Sequence, residues 1–579
     1  MESTLPVDVT GDALRPPAQS PALGAGLAML VAALFGYEMY AYGGSITGPF
    51  IFGDEREYFL YGHDLFAGAD LFKHTQYGIL YPIFMAIFFC FGDVASVYQG
   101  LRAFNVAVMT SSVVPVFLLA RALLPGNGGL WLLFSVFAAT CAFSGLAYAI
   151  WAEPLYFTLF QWLVFSLFVF YRRPRIVTGC ITGVLLGLLF HTKPGAGIVV
   201  EIAALVSLVA VFGAEARRPF QRPPVGAMLA VVLTCGALTV PWLVRNVSLG
   251  VGPIGYAAHA RELKSLIAEL GAFEVAKIAV RSSFYQLAYI LVATWGLLGV
   301  LIIAFVRWKT LPQTLRGLTV FLLACVAGLI ALLSFGMRGD TDYEYWMPFG
   351  RYLSVVCPAI IILAVSQLRL HPPLQQREQG YLIAAAIFLA VIAAWATPLT
   401  AIGPRVITDA PDLALAMAVI DQGQVIPRYG YDASLLQRVG FAVLLACFGA
   451  WGVFATSRRW ALYGLVVLVL CGGLMVSVAE HRYTAMLGGA QSPTNDAIRF
   501  LCTQKVDFEH AVGIDRDLEV SNIRFIADFW NTSSIQLRYV AAEDLEQHIH
   551  DGDVKYFVSP KVLALPVAFN ARGLYVYRL

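Results

Sequence analysis

The sequence predicts an all-α polytopic membrane protein of about thirteen transmembrane helices, followed by a small α/β domain outside the membrane. Three observations predict it. The chain is 59% hydrophobic and 13% charged with a mean hydropathy of +0.71, whereas a soluble globule is roughly a quarter charged. Apolar runs near ~20 residues, the length that crosses about 30 Å of hydrocarbon, recur between polar loops. From about Gln491 these runs shorten and alternate. The net charge of +2, scattered among loops, gives no basis for a nucleic-acid partner.

Residues 1–21 are a Pro-rich polar tail. The apolar segment from Ala22 to Tyr42 is too long for a signal-peptide core and reads as a retained first helix. The expected spans are 22–43, 98–121, 129–146, 151–170, 176–192, 195–212, 225–246, 280–306, 317–335, 352–368, 380–398, 435–456 and 459–478. The run from Ile79 to Phe91 is too short to cross and is expected as a re-entrant or interfacial helix.

With the N-terminus in the cytoplasm every inner loop is basic, from Arg121 and the group Arg172, Arg173 and Arg175 to Arg458 and Arg459. The expected organisation is a cytoplasmic tail 1–21, a transmembrane domain 22–480 with a first outer loop 44–97, and an extracytoplasmic α/β domain 481–579. In that last domain SPTNDAIRFLCTQ and AEDLEQHIH read as helices, and AVGID, VKYFVS and LYVYRL as strands. Of the nine cysteines only Cys502 lies clear of apolar segments, so no disulfide framework or CxxC metal site is available.

The first long polar interruption runs from Phe52 to Pro82 and opens on Asp54, Glu55, Arg56, Glu57 and Tyr58. Tyr58, Phe59, Tyr61, Leu65 and Phe66 recur at helical spacing, so an interfacial helix is expected with the two acids at its positive N-terminus. Capping alone accounts for two acids there. The neighbouring motifs argue for more. Arg102 and Asn105 lie one turn apart near the outer end of a span, Glu153 stands in WAEPL, and HTKPG and VPWLVRN follow.

The order of these elements resembles the C-type glycosyltransferase superfamily that uses polyprenyl-phosphate sugars, particularly bacterial relatives of protein O-mannosyltransferases and of the lipid A aminoarabinose transferase. The resemblance covers most of the first 360 residues. It implies Asp54 as general base with Glu55 beside it, and Glu153 as part of the acceptor site. It also matches Pro241, Trp242, Arg245 and Asn246, and the segment Gly350 to Pro358. Relatives often carry a Lys followed by tandem prolines after the first loop. This chain has KHTQYGILYP instead, and Lys73 is left without a role.

Displacing a lipid phosphate from a sugar needs one base and cations for the leaving group, whereas a glycosidase normally needs two opposed carboxyls. Lys193, Arg245 and Arg351 lie at outer ends of spans and are the candidates for the phosphate, Arg351 foremost. Tyr58, Arg102, Asn105 and Trp242 are assigned to the acceptor site or cavity wall. Snorkelling to the interface is the competing reading for each cation. Glu201 lies inside a span and must face a partner or a wet cavity.

No cofactor is assigned. His63, His74, His191 and His259 lack metal-ligand spacing, so no metal ligand is assigned and a divalent cation is compatible only through tertiary convergence. The expected function is an inverting membrane glycosyltransferase of the cytoplasmic membrane. It takes a polyprenyl-phosphate sugar and serves a glycan, lipid or protein acceptor on the outer face. A flippase of lipid-linked sugars predicts internal symmetry, which the sequence lacks, and an O-antigen polymerase or ligase lacks the acidic pair of the first loop.

Overall fold

The computed structural model describes residues 21–71 apart from 45, 47 and 50–51; 77–124; 147–215; 224–250; 264–335 apart from 266, 295–296 and 309–310; 350–370; and 492–579 apart from 507–511, 517, 519, 532–536, 542–543 and 553. The expected spans 129–146, 380–398, 435–456 and 459–478 lie outside the described residues, as do Lys73, His74 and His259. Two compact units make up the chain. The first comprises Met1–Gly36, Met109–Ser144 and Tyr156–Glu480, the second Tyr37–Val108, Gly145–Leu155 and His481–Leu579.

Helices dominate, in the order α1 (Pro21–Gly43), α2 (Phe52–Phe66), α3 (Leu80–Phe88), α4 (Val94–Ser111), α5 (Val113–Leu123), α6 (Glu153–Arg172), α7 (Ile176–Thr192), α8 (Pro194–Glu215), α9 (Val225–Ser248), α10 (Ala272–Ala293), α11 (Leu298–Val306), α12 (Gln313–Phe335), α13 (Gly350–Leu353) and α14 (Cys357–Leu370). Among the described residues five stretches are long and apolar enough to cross a membrane: Val94–Leu123, Glu153–Arg172, Pro194–Gly213, Val225–Ser248 and Gln313–Ser334.

Local chemistry sets the breaks. Lys193 precedes Pro194 and is extended at φ −144° and ψ 90°, as the residue before a proline must be, and this separates α7 from α8. Pro154 stands at the first turn of α6 behind Glu153, where a missing N–H costs nothing and an acid meets the positive helix end. The single span expected over 280–306 is instead two helices, α10 and α11. Thr294 lies at the break, its hydroxyl donating to the Ile290 carbonyl at 2.7 Å and accepting the Leu298 N–H at 3.4 Å. A side chain that bonds nearby backbone in this way competes with the helical ladder.

In the first unit α7 packs on α9 through glycines four residues apart. A Cβ on Gly179 would lie 2.4 Å from the Ala227 carbonyl oxygen, one on Gly183 2.6 Å from that of Val231, and one on Gly187 2.5 Å from Leu238 Cδ1. Small residues at this spacing let two helix backbones approach where lipid supplies no hydrophobic drive for association. Polar side chains tie other helices together. Gln367 on α14 donates to Thr319 on α12 at 2.8 Å, and Gln161 on α6 donates to the Val355 carbonyl at 2.8 Å.

In the second unit, residues 492–503 are helical (α15), followed by β1 (Val512–Asp515), α16 (Val520–Asn531), β2 (Arg538–Val540), α17 (Leu545–Asp551), β3 (Tyr556–Ser559), β4 (Val567–Ala571) and β5 (Leu574–Arg578). The strands form one sheet in the order β2-β1-β3-β5-β4, parallel where β1 meets β2 and β3 and antiparallel thereafter. Val540, Leu545, Phe557 and Tyr577 centre its core, and the Tyr577 hydroxyl donates to the Lys561 carbonyl at 2.7 Å. Burial pushes the Cys502 thiol up to about 12, which makes it a poor nucleophile. The helices and strands expected at 492–503, β1, α17, β3 and β5 are present, whereas α16, β2 and β4 were not read from the sequence.

Gly183→Leu is expected to lower the thermal unfolding midpoint, since overpacking a tight contact costs about 1–3 kcal/mol. Gly226→Ala, where a Cβ meets nothing within 4 Å, should not lower it. Equal midpoints for the two variants, measured by differential scanning fluorimetry on detergent-purified protein, would contradict the glycine seam.

Candidate functional site

The two acids at the start of α2 have different fates. Glu55 has no exposed surface, and its Oε1 accepts the backbone N–H of Ile150 at 2.9 Å. Asp54 is partly exposed, with the Tyr77 hydroxyl 3.4 Å from its Oδ1. A helix advances about 100° per residue, so adjacent side chains point different ways, and here one acid faces the interior and the other is reachable.

Aromatic residues wall this region. Tyr58 is buried against Tyr77 and Tyr81, with ring centroids 4.7 and 5.3 Å away and both contacts edge-on. The Tyr81 hydroxyl donates to Asn105 Oδ1 at 3.0 Å, and Asn105 Nδ2 donates to the Ala149 carbonyl at 2.7 Å. Glu55 and Asn105 thus hold neighbouring residues of one bent stretch, at Ile150 and Ala149, just ahead of Glu153. Glu153 itself is buried in the first turn of α6.

Arg102 is also buried, and its Nη1 donates to the Ile46 carbonyl at 3.0 Å. The Tyr98 hydroxyl donates to the Gly48 carbonyl at 2.8 Å. Both side chains therefore fix the chain leading into α2. The sequence places Arg102 and Asn105 beside the acids, and the structure makes each a brace for backbone of the second unit.

Lys193, Arg245, Arg351 and Trp242 fall in the first unit. Lys193 is buried, its Nζ 3.8 Å from the centroid of the Tyr352 ring. The Arg351 guanidinium carbon lies 5.4 Å from that same centroid. Two of the three candidate cations therefore meet on one aromatic ring. Arg245 lies 5.0 Å over Trp242 and donates to Asn246 Oδ1 at 2.9 Å. The His191 ring stands perpendicular to Trp242 at 5.8 Å, and its Nε2 pairs with the Leu238 carbonyl at 3.0 Å. Glu201 has its partner: the Thr239 hydroxyl of α9 donates to it at 2.7 Å. Among the described residues no group of three or more His, Cys, Asp or Glu is gathered to hold a metal ion.

No family model and no curated protein matches this chain in sequence. Solved structures do. ArnT from Cupriavidus metallidurans aligns over 96% of this chain and 98% of its own at 14% identity, with a TM-score of 0.51 for the apo state and 0.50 for the state bound to undecaprenyl phosphate. The chain has the ArnT fold. At 14% identity the likeness carries the architecture and not the roles of single residues. It accords with the resemblance to C-type glycosyltransferases seen in the order of the motifs.

Tyr77 and Tyr81 border the candidate acids without having been assigned a role from the sequence, and Tyr352 was noted there only as the neighbour of Arg351. Tyr352 directly follows Arg351, and an aromatic beside a cation at a span end was the available signal. Tyr81 shows no local pattern, because its partner Asn105 is 24 residues away.

Asn105→Leu is expected to destabilise the protein, because it takes the acceptor from the buried Tyr81 hydroxyl and leaves the Ala149 carbonyl with the Trp151 N–H but without the Asn105 amide. Each unmet buried polar group costs roughly 1–3 kcal/mol. A clear drop in the thermal midpoint is the expected reading, and an unchanged midpoint would remove Asn105 from the brace.

Proposed function

We propose that this protein is an integral-membrane glycosyltransferase that moves a sugar from a polyprenyl-phosphate donor to a glycan, lipid or protein acceptor on the outer face, with inversion and with Asp54 as general base. The observation that carries this reading is the division within the acidic pair: Glu55 is buried on the Ile150 amide while Asp54, in the first turn of α2, remains reachable. A base must reach the proton it removes. Only Asp54 of the two meets that condition.

The bonds balance simply. The acceptor hydroxyl gives its proton to Asp54 as its oxygen bonds to the sugar C1, and the bond from C1 to the phosphate oxygen breaks on the opposite face. The lipid phosphate departs as an anion and needs no proton, so a single carboxylate suffices. Lys193, Arg245 and Arg351 are assigned to the phosphate: Arg as a planar two-pronged donor and Lys as a point charge. Their placement on Tyr352 and Trp242 supports this, because a ring face orients a cation without cancelling its charge. Glu153, Tyr58 and Trp242 are assigned to the acceptor side. The ArnT fold, in a protein that binds undecaprenyl phosphate, supports a donor of that lipid class. The reading includes a cytoplasmic-membrane location, a cytoplasmic N-terminus and residues 481–579 outside the membrane.

Purified protein in nanodiscs, supplied with radiolabelled polyprenyl-phosphate sugars, is the test. Asp54→Asn should lose roughly 10²–10⁴-fold in transfer, the usual contribution of a general base, with donor binding retained. Lys193→Ala and Arg351→Ala should instead weaken donor binding. Undiminished transfer by Asp54→Asn would sink the assignment, and movement of lipid between leaflets without product would make the protein a flippase.

A further inference from the structure

We propose that the C-terminal α/β domain is the positioning device of the catalytic loop, and that Asp528 acts as its positioning residue by fixing the start of α2 through Arg56. The proposal rests on the reading of Asp54 as the base. Arg56 follows Asp54 by two residues on α2. Its Nε and Nη2 donate to Asp528 Oδ2 at 2.8 and 2.7 Å, and Arg56 also pairs with Glu57. Asp528 has no exposed surface. Loss of Arg56 would take an opposite charge from a buried carboxylate, which is costly, so the contact is firmly kept.

The residues on either side of Asp528 reinforce it. Phe529 packs on Phe59, one turn further along α2, with tilted rings whose centroids are 4.0 Å apart. Trp530 Nε1 donates to Asn495 Oδ1 at 3.1 Å, and Asn495 Nδ2 donates to the Pro49 carbonyl at 3.2 Å. A Cβ on Gly48 would lie 2.2 Å from Asn495 Oδ1 and 3.1 Å from Trp530, so the approach excludes any larger residue. Three consecutive residues of α16 thus grip the chain before, at and after the first turn of α2. Asp54 lies between the gripped points, at residues 49 and 56. A misplacement of about 1 Å at a reacting group is enough to cost about 10²-fold in rate. A domain that carries no catalytic motif of its own acts on the reaction in this way.

The test uses the full-length protein and two readouts, amide hydrogen exchange and steady-state transfer from radiolabelled polyprenyl-phosphate sugar. Asp528→Asn is expected to raise exchange of the 52–66 amides about tenfold while leaving the strands β1, β3 and β5 protected. It should lower kcat about 10–100-fold with the donor KM nearly unchanged, a split that general destabilisation does not produce. Arg56→Gln approaches the same contact from the loop and should give the same pattern. It decides the matter if Asp528→Asn loosens the whole domain. Unchanged exchange over 52–66, or raised exchange with wild-type kcat, overturns the proposal. If Asp54→Asn retains full transfer while the Asp528 variant still loosens 52–66, the base assignment fails and the grip on the loop stands as structure alone.

Discussion

A carboxylate with no exposed surface must be held by donors, and the bond from the Ile150 amide to Glu55 is the contact on which the second unit depends. It joins the first turn of α2 to the chain that enters α6, 95 residues later. Asn105 accepts from Tyr81 and donates to Ala149, so the same stretch is gripped twice by side chains from α2 and α4. Buried polar groups of this kind are high-stakes, because a half-satisfied network is worse than an apolar one. What the arrangement yields is a fixed backbone from Ala149 to Glu153 and a fixed first turn of α2, the two places where the acids stand.

The cations of the first unit follow a different rule. A Lys or Arg near hydrocarbon ordinarily snorkels to water or pairs with a carboxylate. Lys193 is buried, with its ammonium on the face of Tyr352 and Arg351 near the same ring. The extended backbone forced on Lys193 by Pro194 sets the direction of its side chain, so the HTKPG turn is both a helix break and a way of aiming a charge.

Much of this was legible in the sequence because membrane helices announce themselves by hydropathy alone. The ends of α1, α7, α9 and α12 fall within a few residues of the apolar runs, and α2 starts where the acids and the aromatic spacing place it. The break in 280–306 was hidden because Thr294 lies in an unbroken apolar run, and its hydroxyl acts only through the neighbouring backbone. The strands β2, of three residues, and β4, largely exposed, sit at the two edges of the sheet and neither shows alternating burial. Asp54 and Glu55 were legible as a pair. Which one is buried was not, because that depends on where Ile150 lies, and adjacent residues carry no information on it.

The partner of Arg56 lies 472 residues further along the chain. A pair so remote adds nothing to the local stability of α2, whose 15 residues are close to the length at which isolated helices are marginal in water. The helix must therefore draw its order from packing, and Phe59 on Phe529 with Arg56 on Asp528 supplies much of it. The start of α2 is therefore held from two sides, by Phe529 and Asp528 of the last domain and by Tyr81 and the Ile150 amide.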